Sequence, residues 1–185
     1  VASETSTSVS APIQHAAISA FTDRPELQDY LIYSRKVLKM VGQVAYGKLK
    51  EAGLKLPEPE GGFYLFPLAD GMAEGLAERG IRDSTTLCER LLLESGVAVL
   101  PGSDFGRPDS ELSFRLATVN FDGAEALRQV ARFEGDAWEF VETHCFELWD
   151  KISSYTAPVG LQTVIRLNTH DIDSPVFLLG LAETP

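Results

Sequence analysis

Between Leu27 and Leu49 the side chains Leu27, Tyr30, Leu31, Ser34, Leu38, Val41, Ala45 and Leu49 recur at three- and four-residue steps, all but Ser34 apolar. A helix with 3.6 residues per turn gathers such a series onto one face, so the pattern predicts one long amphipathic helix. A break at Thr22–Pro25 precedes it and Gly53 follows it, which sets the helix at residues 25–53. A helix of this length must bury its apolar stripe against other elements, and the rest of the chain is read for what can cover it.

Upstream, Pro12 suits the first turn of a helix running through Ile13, Ala16, Ala17, Ala20 and Phe21. Downstream, Gly62-Phe63-Tyr64-Leu65-Phe66-Pro67 is short, aromatic and bounded by breakers, which predicts a strand. Asp83 and Ser84 offer capping oxygens to a helix carrying Leu87, Cys88, Leu91 and Leu92 on one face, and Gly96 supplies a left-handed stop. Val97–Leu100 reads as a second strand. The turn-rich stretch Pro101–Pro108 then leads into a third strand, Leu112–Val119. From Gly123 a helical period runs through Leu127, Val130, Trp138, Val141, Cys145, Leu148 and Ile152, predicting a terminal helix over 123–152, bent if anything at Gly135. The expected fold is α+β: a small domain with a short, mostly antiparallel three-stranded sheet packed against the helices 25–53 and 123–152. Residues 1–152 form that domain and residues 153–185 a C-terminal extension, in which Val176–Leu179 reads as an edge strand or docked tail.

Charge narrows the partners. Lys and Arg total 16 against 27 Asp and Glu, a net charge of −11, with no basic stripe to follow a phosphate backbone, so nucleic acid is not expected. The apolar runs fall far short of the roughly 20 residues that span a bilayer, so no membrane partner is expected. Cys88 and Cys145 each sit among apolar residues, as buried free thiols of a reducing, cytoplasmic compartment would. The opening residues are rich in Ser and Thr, lack a secretory layout, and start at Val1, which suggests a piece of a longer chain.

Arg115 is the residue most pointedly out of place. It stands in the middle of Leu112–Val119, a segment otherwise made of strand formers. A guanidinium taken out of water costs several kcal/mol unless an anion meets its planar fork. Two readings follow: an internal ion pair with one of the many glutamates, or a clamp for a ligand's carboxylate. Gly102, Ser103 and Gly106 imitate a phosphate cradle, but they precede a strand rather than a helix N-terminus, so they read as a tight connection presenting backbone near the start of the arginine strand. His15, His144 and His170 are scattered and predict no metal site, and no serine-nucleophile elbow is present.

Taken in order, Thr5–Ser10 with Gln14-His15-Ala16-Ala17, then Glu60–Pro67, Leu92–Gly106 and Phe114-Arg115-Leu116-Ala117, resemble consecutive segments of the fold-type I pyridoxal-phosphate-dependent aminotransferases, in their C-terminal small domain. The likeness runs over roughly residues 3 to 133. It implies amino-group transfer between an amino acid and a 2-oxo acid on pyridoxal 5'-phosphate, with Arg115 gripping the α-carboxylate. The family's Schiff-base lysine stands in a Ser-x-x-Lys or Ser-Lys context with Gly-x-Arg-x-Gly beginning six residues later. Here Ser34-Arg35-Lys36 with Gly42 imitates it, but Val44 takes the arginine's place and the stretch lies in the long helix. Lys36 is therefore expected to be a solvated helix-face lysine, and the true lysine, with most of the cofactor-binding groups, to precede Val1, leaving this piece inactive alone. By the same resemblance, the Ser/Thr-rich opening reaches toward a partner subunit's site in a homodimer. Glu4 stands near where dicarboxylate-specific members carry an arginine. Two alternatives remain within the resemblance: a lyase or decarboxylase of the same fold, or a non-catalytic aminotransferase-like module for ligand sensing or protein association.

Overall fold

The structure, a computed structural model, describes residues 9–148. Helix α1 spans Ala11–Ala20 with Pro12 in its first turn, and α2 spans Pro25–Glu51 with Pro25 in its own. Both prolines sit where a helix has no partner for the N–H they lack. Gly53 follows α2 at φ 86°, a conformation that glycine adopts without a Cβ penalty. The buried face of α2 is Val37, Met40, Val41, Val44, Ala45 and Leu49. Of the expected stripe, only its C-terminal part reaches the core. Leu27, Tyr30 and Leu31 are exposed, and α1 buries no residue.

Three short strands form one antiparallel sheet in the order β1-β3-β2, where β1 is Tyr64–Leu65, β2 is Leu100–Pro101 and β3 is Phe114–Ala117. The expected three-stranded α+β arrangement is present, with the arginine strand at its centre. The strands are shorter than the sequence patterns suggest, and at β2 the physical reason is visible. The Val97 N–H bonds the Leu91 carbonyl and so closes the preceding helix, while Gly96 turns left-handed at φ 66°. Pairing with β3 therefore starts only at Leu100, opposite Arg115. Around β3, Thr118 N bonds Phe63 O at 2.9 Å, and Leu68 bridges Ser113, so its partners extend past the regular ladder.

The helix α4, Ser84–Ser95, is capped as expected: the Asp83 carboxylate accepts from Thr86 N at 2.7 Å. Before it, a single 3-10 turn at Asp70–Met72 runs into α3, Ala73–Glu78, a helix too short to show a period, anchored by buried Leu76. The expected helix 123–152 is two helices, α5 at Gly123–Val130 and α6 at Ala137–His144, and residues 149–152 lie outside the described residues. The break comes from capping. Asp122 accepts from Ala124 N and Glu125 N to start α5, and Asp136 accepts from Trp138 N at 2.9 Å and Glu139 N at 3.0 Å to start α6. Each helix thus has its own start, and Gly135 lies in the turn between them, where a Cβ would collide with the Phe133 ring and the Glu139 carboxylate.

One core joins these elements. α2 packs on α5 and α6, and Val41, Val44 and Leu49 meet Phe114, Leu116, Leu87, Leu91, Val130, Phe140 and Val141 within one buried cluster. At Gly47 the bare α-carbon admits the Trp138 ring, since a Cβ would stand 3.0 Å from it. In β3 the side chains alternate: Phe114 and Leu116 are buried in the core, and Arg115 and Ala117 lie on the opposite, open face. The expected extension over 153–185, with its Val176–Leu179 segment, lies outside the described residues.

Candidate functional site

Strand alternation and register together assemble the open face. Tyr64 stands opposite Ala117 and Leu100 opposite Arg115, so both share the face of Arg115. Phe105 reaches the same place from the 3-10 turn Gly102–Phe105 that follows β2. The Arg115 Cζ lies 4.3 Å from the Tyr64 ring centroid and 4.5 Å from that of Phe105. The side chain is half-buried.

Of the two readings of Arg115, the internal ion pair does not form. Glu94 takes Arg79 and Arg90, Glu111 takes Arg107, and Glu125 takes Arg128; no carboxylate among the described residues meets Arg115. Its charge is met by two π-faces, and its N–H donors have no acceptor among the described residues. A guanidinium in this state is free to take a planar anion in bidentate fashion.

The turn that carries Phe105 is fixed from three sides. Gly102 N bonds Ser113 O at 2.9 Å, Gly106 N bonds Ser103 O at 3.0 Å, and the buried Ser84 hydroxyl at the start of α4 meets that of Ser103 at 3.2 Å. The first of these sets loop backbone beside the start of the arginine strand, as the sequence implied. No side chain fits at Gly102, where a Cβ would strike Ser113. Phe66 meets Phe105 edge to face at 5.8 Å and, beyond it, lines an open groove of about 450 Å³ together with Lys55, Leu68 and Ser113. Arg115 is not among the walls of this groove.

The other candidates fall elsewhere. Lys36 is not simply solvated: its ammonium donates to Val130 O at 3.1 Å and Phe133 O at 2.9 Å, closing the C-terminal end of α5, where carbonyls lack partners. Cys88 and Cys145 are buried free thiols, and burial, aided by nearby acids, pushes each up to about 12. His15 and His144 lie far apart in the fold's order, His170 lies outside the described residues, and no cluster of potential metal ligands occurs among the described residues. The Ser/Thr-rich opening with Glu4 also lies outside them. Tyr64 and Phe105 are what sequence reasoning missed. The alternation within Gly62–Pro67 puts Tyr64 and Phe66 on one face, but nothing in it says that the face belongs to Arg115.

Residues 2–132 match the family model described as aminotransferase class I and II. The chain belongs to the class I and II aminotransferases. Among curated members of this family it is 32% identical to an aspartate aminotransferase of Bacillus sp. (strain YM-2) over 134 residues, which are 72% of this chain and 32% of that protein. It is 34% identical to an aspartate aminotransferase of Thermotoga maritima, over 72% of this chain and 30% of that protein. It is 30% identical to an asparagine--oxo-acid transaminase of Streptococcus mutans, over 72% of this chain and 32% of that protein. Among solved aminotransferases, a Thermus thermophilus aspartate aminotransferase tetra mutant aligns with 56% of this chain and 24% of its own, at 28% identity and a TM-score of 0.41. The chain thus spans about a third of the length of the curated aminotransferases it matches.

Pyridoxal phosphate is the cofactor that this aminotransferase family implies. Of the described residues, Arg115 offers an uncommitted guanidinium on the open face, whereas the lysine that imitates the attachment site, Lys36, is engaged by two backbone carbonyls. The chemistry of the described residues suits an acid group rather than the cofactor's attachment point. No helix among them is long and apolar enough to cross a membrane.

Proposed function

We propose that the intact protein is a pyridoxal-phosphate-dependent aminotransferase that moves an amino group between an amino acid and a 2-oxo acid, and that Arg115 in this chain anchors the substrate's α-carboxylate. The observation that carries the reading is the state of Arg115: half-buried on the open sheet face, unpaired with any described carboxylate, its donors unspent. Such a cation binds and orients. Two parallel N–H···O contacts fix the plane of the carboxylate, and with it the direction of the bonds at the adjacent carbon. The cofactor, held by the length of protein that the relatives have beyond this chain, supplies the electron sink. Open apolar neighbours, Tyr64 at 49% and Leu100 at 44% exposure, suit a face that another part of the protein covers, excluding water from the anchor. A homodimer in the cytoplasm is the assembly and compartment we assign, the latter in keeping with two buried free thiols.

Substituting Arg115→Ala in the full-length enzyme is expected to raise the substrate KM on the order of a hundredfold, about 2.7 kcal/mol, while the cofactor's absorbance stays as it was. Unaltered kinetics would remove Arg115 from the site. Product analysis on the same enzyme, showing an amino acid and a 2-oxo acid exchanged one for one, separates transfer from lyase or decarboxylase chemistry.

A further inference from the structure

We infer that Tyr64 and Phe105 are positioning residues for the Arg115 guanidinium, holding the cation by their ring faces so that its N–H fork is already placed when a carboxylate arrives. The inference rests on the reading of Arg115 as the substrate anchor. An arginine on a sheet face can be held in two ways. A carboxylate partner would fix it but occupy the same donors that a ligand needs, and each binding event would have to break that pair. An aromatic ring attracts the positive charge through its quadrupole and consumes no donor. Here the rings come from the two strands or turns that flank β3: Tyr64 from β1 on one side, at 4.3 Å, and Phe105 from the turn after β2 on the other, at 4.5 Å. A long side chain flanked from both sides has lost much of its rotamer freedom before binding, so that loss is not charged again to the ligand.

Each ring is in turn held in place. Phe63 lies 4.4 Å from Tyr64, and Phe66 meets Phe105 at 86°. The hydrogen bonds of the Gly102–Phe105 turn fix where Phe105 leaves the backbone. Both rings remain about half open, Tyr64 at 49% and Phe105 at 42% exposure, so neither is a core residue whose loss would unpack the fold.

The test is kinetic and uses the full-length holoenzyme. Tyr64→Leu and Phe105→Leu are each expected to raise KM about fivefold, as one cation–π contact warrants. They should weaken inhibition by an unreactive short monocarboxylate by the same factor, with kcat nearly constant, because the contact is made equally in the bound substrate and the transition state. Tyr64→Phe and Phe105→Tyr should restore most of each loss. A series of fluorinated phenylalanines at position 105 drains the ring's charge at nearly constant shape, and KM should climb with each fluorine, which a purely structural role would not produce. If Arg115→Ala itself leaves KM unchanged, the anchor reading fails and this inference falls with it. If Arg115→Ala raises KM while the leucine variants and the fluorine series leave both KM and inhibition unmoved, the anchor stands and only the positioning role is overturned. Should either leucine variant fail to fold, the fluorine series alone decides, a flat response counting against the proposal.

Discussion

The arm formed by α1 and residues 25–36 of α2 and the body formed by residues 37–148 are built from the same kind of amphipathic sequence, yet they differ in what touches it. In the body, apolar side chains three and four apart meet other apolar side chains: Val37, Met40, Val41, Val44, Ala45 and Leu49 are all buried against the sheet and the later helices. In the arm, Ile13, Ile18, Phe21, Tyr30 and Ile32 are exposed, Phe21 at 91%. Periodicity reports that a face is apolar. It does not report whether the cover for that face lies in the same stretch of chain. The difference between arm and body is therefore one of partners, and it sorts the effects of substitution.

The largest expected effect is in the body. Phe140→Ala removes a fully buried ring and should cost about 3–5 kcal/mol in urea unfolding of this chain, whereas Phe21→Ala should change it by less than about 0.5 kcal/mol. Equal costs would break the contrast. The same Phe21→Ala substitution in the full-length protein sharpens it, since any added cost there measures what covers the arm. Next, Asp136→Ala removes the oxygen that caps α6 and should cost about 1 kcal/mol, seen as a lower midpoint at unchanged slope. At the seam between the two regions, Lys36→Met takes away the ammonium that closes α5 and should cost about 0.3–1 kcal/mol, an effect that weakens as salt is added.

The smallest effect is at Glu111, beside the groove. Hydrogen bonds from the Arg107 guanidinium hold its carboxyl below the ordinary value of 4.5. The folded state thus binds this proton less readily than the unfolded one. Its contribution is fully present above pH about 4.5 and is lost as pH falls through the lower folded value. Glu111→Gln should flatten that part of the acid melt, lowering the midpoint slightly near neutrality and leaving it unchanged at pH below the folded value.

What could be read in the sequence was local and punctuated. Asp83 with Gly96 marked α4 at both ends, Pro25 and Gly53 bracketed α2, and the aromatic segment before Pro67 and the Arg115 segment were each legible as strands of one small sheet, though not their order in it. Where punctuation and period disagreed, the period misled. Leu127, Val130, Trp138 and Val141 keep a helical spacing across a break that Asp136, placed after Gly135, enforces. At the site, the residue type alone marked Arg115 as needing an anion. That its charge is met by rings and not by a glutamate depends on the register of Tyr64 with Ala117 and on the path of the turn to Phe105, neither of which a one-dimensional pattern carries.

Helix α2 runs 27 residues without a break, but only the part from Val37 onward is gripped. At 1.5 Å per residue its free portion projects about 18 Å from that grip. A rod clamped at one end is a lever, so a small tilt at the clamp grows along the free length into a larger displacement at the tip.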